Sequence, residues 1–171
     1  LVAAAKRPRY ADNASSANTS STTVRIISSA FPEISTFDFK PGDTSLPRAG
    51  DWTDYVRGVV AQYLPSFPQD ATGIDLAIVA NLPLGSGLSS SASLEVGVAT
   101  ALEAMFRISL PVKDKALLCQ KCEHDYCNTP CGIMDQFIVA CGEAGHALLI
   151  DCRPPFRTEQ VPLDNPKVAL V

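Results

Sequence analysis

A run of glycine and serine between a predicted strand and a predicted helix constrains the fold of this chain most. The segment 73–83 (GIDLAIVANLP) is apolar enough for a buried strand and leads directly into PLGSGLSSSAS. The residues SLEVGVATALEAMF at 93–106 then predict a helix. Glycines let successive backbone N–H groups turn into one concavity, and a helix start adds unpaired N–H groups and a positive dipole end. The order strand, loop, helix therefore predicts a cradle for phosphate.

This loop differs from two common nucleotide-binding motifs. No Lys-Ser or Lys-Thr pair follows the glycines, so it is not a Walker A loop. The third glycine of the dinucleotide fingerprint is also missing. A glycine-rich turn with a serine N-cap is the alternative interpretation of the glycines alone. The residues expected to face phosphate are Gly85, Ser86, Gly87, Leu88, Ser89, Ser90 and Ser91.

The other predicted elements mix strands and helices without a clear βαβ alternation. We expect strands at 22–29, 35–39, 146–152 and 167–171. We expect helices at 51–64, with Asp51 as N-cap, and at 112–126 and 132–141. Residues 11–21 read as a polar loop. The length of 171 residues fits one domain, and the pattern predicts an α+β fold, an α/β two-layer sandwich.

Charge and cysteine content exclude several classes of protein. A net charge of −4 argues against a general affinity for nucleic acid or anionic membranes. No apolar run approaches the ~20 residues that a membrane-spanning helix needs. Six cysteines are too few and too clustered for a disulfide scaffold, so we expect a cytoplasmic protein. We also expect a monomer. The chain begins without Met and inside an apolar run, which suggests a piece of a longer protein.

The stretch CQKCEHDYCNTPCGIMDQF at 119–137 has two interpretations. One is a zinc site built from its four cysteines, although the Cys-x2-Cys-x4-Cys-x3-Cys spacing is a poor match to known structural sites. The other is that the cysteines pack in the core and the chemistry lies in the carboxylates Glu123 and Asp135. His124 is expected to make a structural hydrogen bond under the second interpretation. The cysteines concerned are Cys119, Cys122, Cys127 and Cys131.

Four segments carry a resemblance to a known family. PLGSGLSSSASLEV is similar to the phosphate-binding motif of the galacto-, homoserine, mevalonate and phosphomevalonate (GHMP) kinase superfamily. Together with WTDYVRGVV, CEHDYCNTPCGIMDQFI and GHALLIDCR, it makes nearly the whole chain resemble the galactokinases. The resemblance implies an incomplete GHMP kinase N-terminal domain over 1–171, with the C-terminal domain absent or only begun. The fold that it implies is like that of the second domain of ribosomal protein S5. It also implies transfer of the γ-phosphoryl group of ATP to the C1 hydroxyl of α-D-galactose.

The resemblance assigns roles to the acidic residues. Ser91 and Glu123 would hold Mg²⁺, which prefers hard oxygen ligands and usually takes one or two protein groups besides phosphates and water. Asp135 would contact the sugar and act as the catalytic base, or only align the hydroxyl. Gly132 and Cys131 would lie along the sugar pocket.

One aromatic residue receives a role in nucleotide binding. Trp52 corresponds to a position near the adenine of ATP in the family, where an aromatic plane suits stacking. For Tyr55, at a similar position, we expect ordinary helix packing.

Two motifs of the family have no match in this chain. They are the N-terminal sugar-binding motif (an Arg, then Glu-His and Asp-Tyr) and the C-terminal Gly-rich motif. We therefore expect that these 171 residues alone neither phosphorylate galactose nor bind ATP tightly.

Two related activities are alternatives. An N-acetylgalactosamine kinase shares the phosphate loop, but GHALLIDCR favours a galactokinase. A non-catalytic galactose sensor would lack the Ser-Ala pair that is present here as Ser91-Ala92.

Overall fold

The computed structural model describes residues 2–6 (backbone only), 22–83 and 85–163. In chain order, the strands of this part of the chain are β1 (Val2–Lys6), β2 (Thr22–Ser28), β3 (Ser35–Phe39), β4 (Ile74–Ile78), β5 (His146–Ile150) and β6 (Thr158–Pro162). The α-helices are α1 (Thr53–Tyr63), α2 (Ser90–Phe106), α3 (Val112–Asp125) and α4 (Met134–Cys141), and a short 3-10 turn (Leu64–Ser66) follows α1.

Four strands form one mixed sheet in the order β1-β4-β2-β3. The central pair, β4 and β2, is parallel, and both outer pairs are antiparallel. Val24 and Ile26 of β2 are buried, whereas Arg25 and Ile27 between them are exposed. On the exposed face, the guanidinium of Arg25 donates to the carboxylate of Asp75 (Nε to Oδ1, 2.7 Å). One face of the sheet is thus solvated, as in a two-layer sandwich.

The helices bury the other face of this sheet. Val56, Val59, Val60 and Tyr63 recur at helical spacing along α1 and pack into the core with strand residues. Helix α1 packs against α2 and α3, and α4 packs against the same two helices. Gly58 allows a close approach, because a Cβ there would lie 2.2 Å from Sγ of Cys122 on α3. The α+β two-layer prediction is confirmed.

A separate hairpin, β5 and β6, lies next to α4. Leu148 and Ile150 of β5 pack against a small cluster around Phe137 of α4. The opposite side of the hairpin leaves Leu149 and Val161 exposed. Among the described residues, no helix is long and apolar enough to cross a membrane.

Several predicted boundaries differ from the structure for identifiable reasons. The strand predicted at 73–83 ends at Ile78, where the pairing with both neighbouring strands stops. The helix predicted from 132 begins at Met134, after a turn in which the N–H of Cys131 donates to the carbonyl of Thr129 (2.8 Å). Asp51 lies one residue before the N-cap position, and its Oδ1 accepts from the N–H of Thr53 (2.8 Å).

Two strands, β1 and β6, were not predicted, because VAAAK is mostly alanine and TEQVP contains Glu and Pro, which are depleted in strands. The strand predicted at 167–171 and the loop at 11–21 lie outside the described residues. The remaining predicted strands and helices begin and end within a few residues of the observed ones.

Candidate functional site

The Gly/Ser loop has a strongly curled backbone. Gly85 and Gly87 have φ of +69° and +73°, and Ser89 has φ of +55°, all in the left-handed region. Glycine adopts this region without strain, whereas serine does so at a cost of order 1–3 kcal/mol that the surroundings must offset. The hydroxyl of Ser86 donates to the carbonyl of Pro83 (2.8 Å), which closes the turn. Backbone of this kind can direct its N–H groups into one concavity.

The start of α2 leaves its first N–H groups without helical partners. The first helical hydrogen bond runs from the N–H of Ser93 to the carbonyl of Ser89 (2.9 Å). Ser89 makes no side-chain capping bond, and the first turn contains no acidic residue. The positive end of the helix dipole is therefore uncompensated by a carboxylate within that turn, which favours an anion at this position.

A cavity of about 270 Å³ opens beside this helix start. Ser90 and Ser91 line one side of it, and Phe31 and Trp52 line another. The rings of Phe31 and Trp52 stack, with centroids 5.0 Å apart and planes 14° from parallel. The structure thus brings the sequence-predicted Trp52 to the same cavity as two of the predicted phosphate-facing serines. Phe31 was missed, because a single aromatic residue in a loop carries no periodic signal.

The predicted acidic residues lie at a junction of α2, α3 and α4. Glu123 of α3 is buried, and the amide Nε2 of Gln136 on α4 donates to its Oε1 (3.1 Å). Asp135, the residue before Gln136, is half-buried in the first turn of α4. Asp135 therefore lies in the first turn of α4, the helix that contacts both Glu123 and α2.

A second buried carboxyl, Glu95, lies one helical turn after Ser91 on the same face of α2. It is 0% exposed, and neither of its oxygens has a partner at ordinary hydrogen-bond geometry. The nearest polar groups are the thiol of Cys122 and the amide of Gln136. Burial, together with the negative charge of Glu123, raises the pKa of Glu95 to about 9. The sequence signal for Glu95 is a charged residue within an otherwise apolar stretch of helix.

Oxygen donors of the kind that suits a hard cation are present on α2, α3 and α4. Ser91 contributes a hydroxyl, Glu123 contributes a carboxylate, and the buried Oε1 of Gln136 has no hydrogen-bond partner. A small set of protein oxygens completed by phosphates and water is the usual environment of Mg²⁺. Within residues 22–83 and 85–163, no group of three or more His, Cys, Asp or Glu side chains is arranged to hold a metal.

The cysteines take part in packing and backbone contacts. Cys119 and Cys122 are buried, and burial raises the pKa of Cys119 well above its ordinary range. The thiol of Cys122 donates to the carbonyl of Tyr55 (3.3 Å). Nε2 of His124 donates to the carbonyl of Cys131 (2.9 Å), which confirms the structural hydrogen bond expected for this histidine. These contacts favour the packing interpretation.

The two residues predicted for the sugar pocket lie just before α4. Cys131 is half-buried, and its carbonyl also accepts from Nε2 of Gln120 (3.1 Å). Gly132 is exposed, and a Cβ there would meet no atom within 4 Å. Both residues are close in sequence to Asp135, and there is open space beside the backbone of Gly132.

A larger cavity of about 800 Å³ lies on another side of Trp52. Arg48 and Asn128, whose side chains are hydrogen-bonded (2.7 Å), line it together with Tyr126. Tyr55, for which we expected ordinary helix packing, is half-buried and borders both cavities.

Residues 54–143, more than half of the chain, match the GHMP kinases N terminal domain. The chain belongs to the GHMP kinase family. Known GHMP kinases that it resembles include the galactokinases of Homo sapiens and Bos taurus, with 47% and 46% identity over 125 residues. Its fold is similar to that of a Lactococcus lactis galactokinase solved with bound galactose, with a TM-score of 0.78, 30% identity and 95% of this chain covered.

This GHMP kinase chain matches only part of each relative. The two curated relatives are matched over 73% of this chain but only 31% of their own length. The Lactococcus lactis structure is matched over 39% of its length. The chain thus spans well under half of the proteins it resembles.

Proposed function

We propose that the chain is the central part of a galactokinase, within an incomplete GHMP kinase N-terminal domain. The protein would transfer the γ-phosphoryl group of ATP to the C1 hydroxyl of α-D-galactose. The observation that carries this proposal is the junction of α2, α3 and α4, where the helix opened by the Gly/Ser loop meets the helices of Glu123 and Asp135. The identity to galactokinases and the fold shared with one of them support the same activity.

In this mechanism, the Gly/Ser loop binds the nucleotide phosphates. The N–H groups at the start of α2 and the hydroxyls of Ser90 and Ser91 donate to phosphate oxygens. Bound Mg²⁺, held by Ser91 and Glu123, would supply positive charge to the phosphates. Trp52 lines the cavity at the start of α2, where the base would bind. Gly85 to Ser89 would surround the phosphates.

Asp135 acts on the sugar. Its carboxylate accepts a hydrogen bond from the C1 hydroxyl, whose oxygen attacks the γ-phosphorus as the bond from that phosphorus to the leaving oxygen of ADP breaks. The hydroxyl proton passes to Asp135 if the residue is a true base. Cys131 and Gly132 flank the sugar, and the exposed backbone of Gly132 leaves room for it.

The test is the Asp135→Ala variant of the natural full-length protein. We expect it to lose galactose phosphorylation in a coupled ADP-release assay while its dissociation constant for ATP, measured by calorimetry, changes little. Glu159→Gln, an exposed carboxylate on the β5–β6 hairpin, serves as the control and should keep normal turnover. Equal loss of turnover and ATP binding in Asp135→Ala would show that Asp135 is structural. Normal turnover by the 171-residue chain alone would contradict the expectation that the missing motifs are needed.

Three alternatives have their own measurements. Comparing galactose with N-acetylgalactosamine as acceptor separates the two sugar kinases. ATP binding without turnover in the full-length protein would indicate a galactose sensor. Stoichiometric zinc in purified protein would restore the cysteine site. We further infer a cytoplasmic monomer, which light scattering and cell fractionation would test.

A further inference from the structure

The aromatic pair in the nucleotide cavity does not have the arrangement that the sequence suggested. Trp52 was expected to offer its ring to the base, but that ring is already stacked by Phe31. A flat base between two rings needs about 7 Å, twice the ~3.5 Å contact distance of carbon atoms. The centroids are 5.0 Å apart, so no base fits between them.

The two rings differ in how they are held. Trp52 is partly buried and packs against the main hydrophobic core. Phe31 is 40% exposed and lines the cavity without belonging to that core. Phe31 is therefore the more exposed ring of the pair, and Trp52, which also lines the cavity, anchors the pair to the core.

The loop that carries Phe31 is ordered by its own hydrogen bonds. The N–H of Phe31 donates to the carbonyl of Ser28 (3.1 Å), and the N–H of Ser28 donates to the carbonyl of Phe31 (3.3 Å). The hydroxyl of Ser28 accepts from the N–H of Ala30 (3.2 Å), and Pro32 fixes the next φ angle. The ring is thus held before any ligand arrives, which lowers the entropy cost of stacking on it.

We propose that Phe31, supported by Trp52, provides the stacking surface for the nucleotide base and favours purines over pyrimidines. This inference rests on the proposed nucleotide-binding function. A purine has two fused rings and covers more of an aromatic surface than a single pyrimidine ring does. Ser90 and Ser91 line the same cavity, so a nucleotide whose base stacks on Phe31 would have its phosphates near the start of α2.

The experiment compares three ligands on the natural full-length protein by isothermal titration calorimetry. ADP carries a purine base, UDP carries a pyrimidine base, and inorganic tripolyphosphate carries no base. We expect Phe31→Ala to weaken ADP binding about tenfold, the order of one base stacked on one aromatic ring. Tripolyphosphate binding should stay unchanged, and the preference for ADP over UDP should fall. Phe31→Tyr, which keeps the ring, should bind ADP like the wild type.

Ile34→Ala is the matched control, because Ile34 follows in the same loop, is 65% exposed and does not line the cavity. It should bind all three ligands like the wild type. Unchanged or tighter ADP binding by Phe31→Ala would overturn the inference, since it would mean that Phe31 only covers Trp52. A wild type that binds ADP no better than tripolyphosphate would overturn it as well. A wild type that binds none of the three ligands would instead overturn the proposed nucleotide site, and the inference with it.

Discussion

Replacing Glu95 by Gln should change how the stability of the folded protein depends on pH. The carboxyl is fully buried, and its pKa rises from an ordinary 4.5 to about 9, first through burial and then through the charge of Glu123. Gln has nearly the same shape as a protonated Glu but does not titrate. The variant therefore isolates the effect of this one ionisation.

The sign follows from proton binding in the two states. Below pH 4.5, Glu95 is protonated both in the folded and in the unfolded protein, so it adds no pH dependence. Between pH 4.5 and about 9, the folded state keeps a proton that the unfolded state has lost, so the free energy of unfolding falls as the pH rises. At about 1.4 kcal/mol per pH unit, the loss by pH 7 is roughly 3 kcal/mol.

The assay is urea unfolding followed by circular dichroism at several pH values between 5 and 8.5. We expect the difference in unfolding free energy between Glu95→Gln and the wild type to grow in favour of the variant as the pH rises. Glu159→Gln, which removes an exposed carboxylate from the β5–β6 hairpin, is the matched control for changing one carboxyl to an amide. Parallel curves for Glu95→Gln and the wild type would refute the buried, protonated Glu95.

Two further predictions concern packing and charge. Gly58→Ala should lower the free energy of unfolding by about 1–3 kcal/mol, because the new Cβ would overlap Sγ of Cys122. Gly132→Ala places its Cβ in open space, so it should change the free energy of unfolding little in the same urea titration. Lys115→Met should destabilise the protein by about 3 kcal/mol, because it leaves the largely buried Glu103 carboxylate without its ion-pair partner (2.8 Å). Adding Glu103→Gln should recover part of that loss. Full stability of Lys115→Met in thermal unfolding would contradict the prediction.

The parts of the fold that follow local rules were predictable. The apolar stretch of β4, the left-handed glycines of the loop and the helical spacing of α1 each depend on neighbouring residues. Strand β1 was not predictable in this way, since its alanine-rich sequence becomes a strand only by pairing with β4. Tertiary context, rather than intrinsic propensity, decides such segments.

The candidate site also contains some residues that could be predicted from the sequence and some that could not. The Gly/Ser loop and the carboxylates are marked by residue type and spacing, and the resemblance to galactokinases gives them roles that stay predictions until the Asp135 and ligand experiments are done. Phe31 and Gln136 could not be found from the sequence, because their importance comes from contacts with Trp52 and Glu123, which are far away in the chain.

The outermost strand β1 shields the sheet. Its backbone occupies the side of β4 that does not face β2, from Val2 opposite Ile78 to Lys6 opposite Ile74. A chain trimmed past Lys6 would expose a row of unsatisfied amide and carbonyl groups along β4, next to the hydrophobic interior. Such an edge readily recruits a strand from another molecule, so N-terminal trimming should turn a well-behaved preparation into one that aggregates.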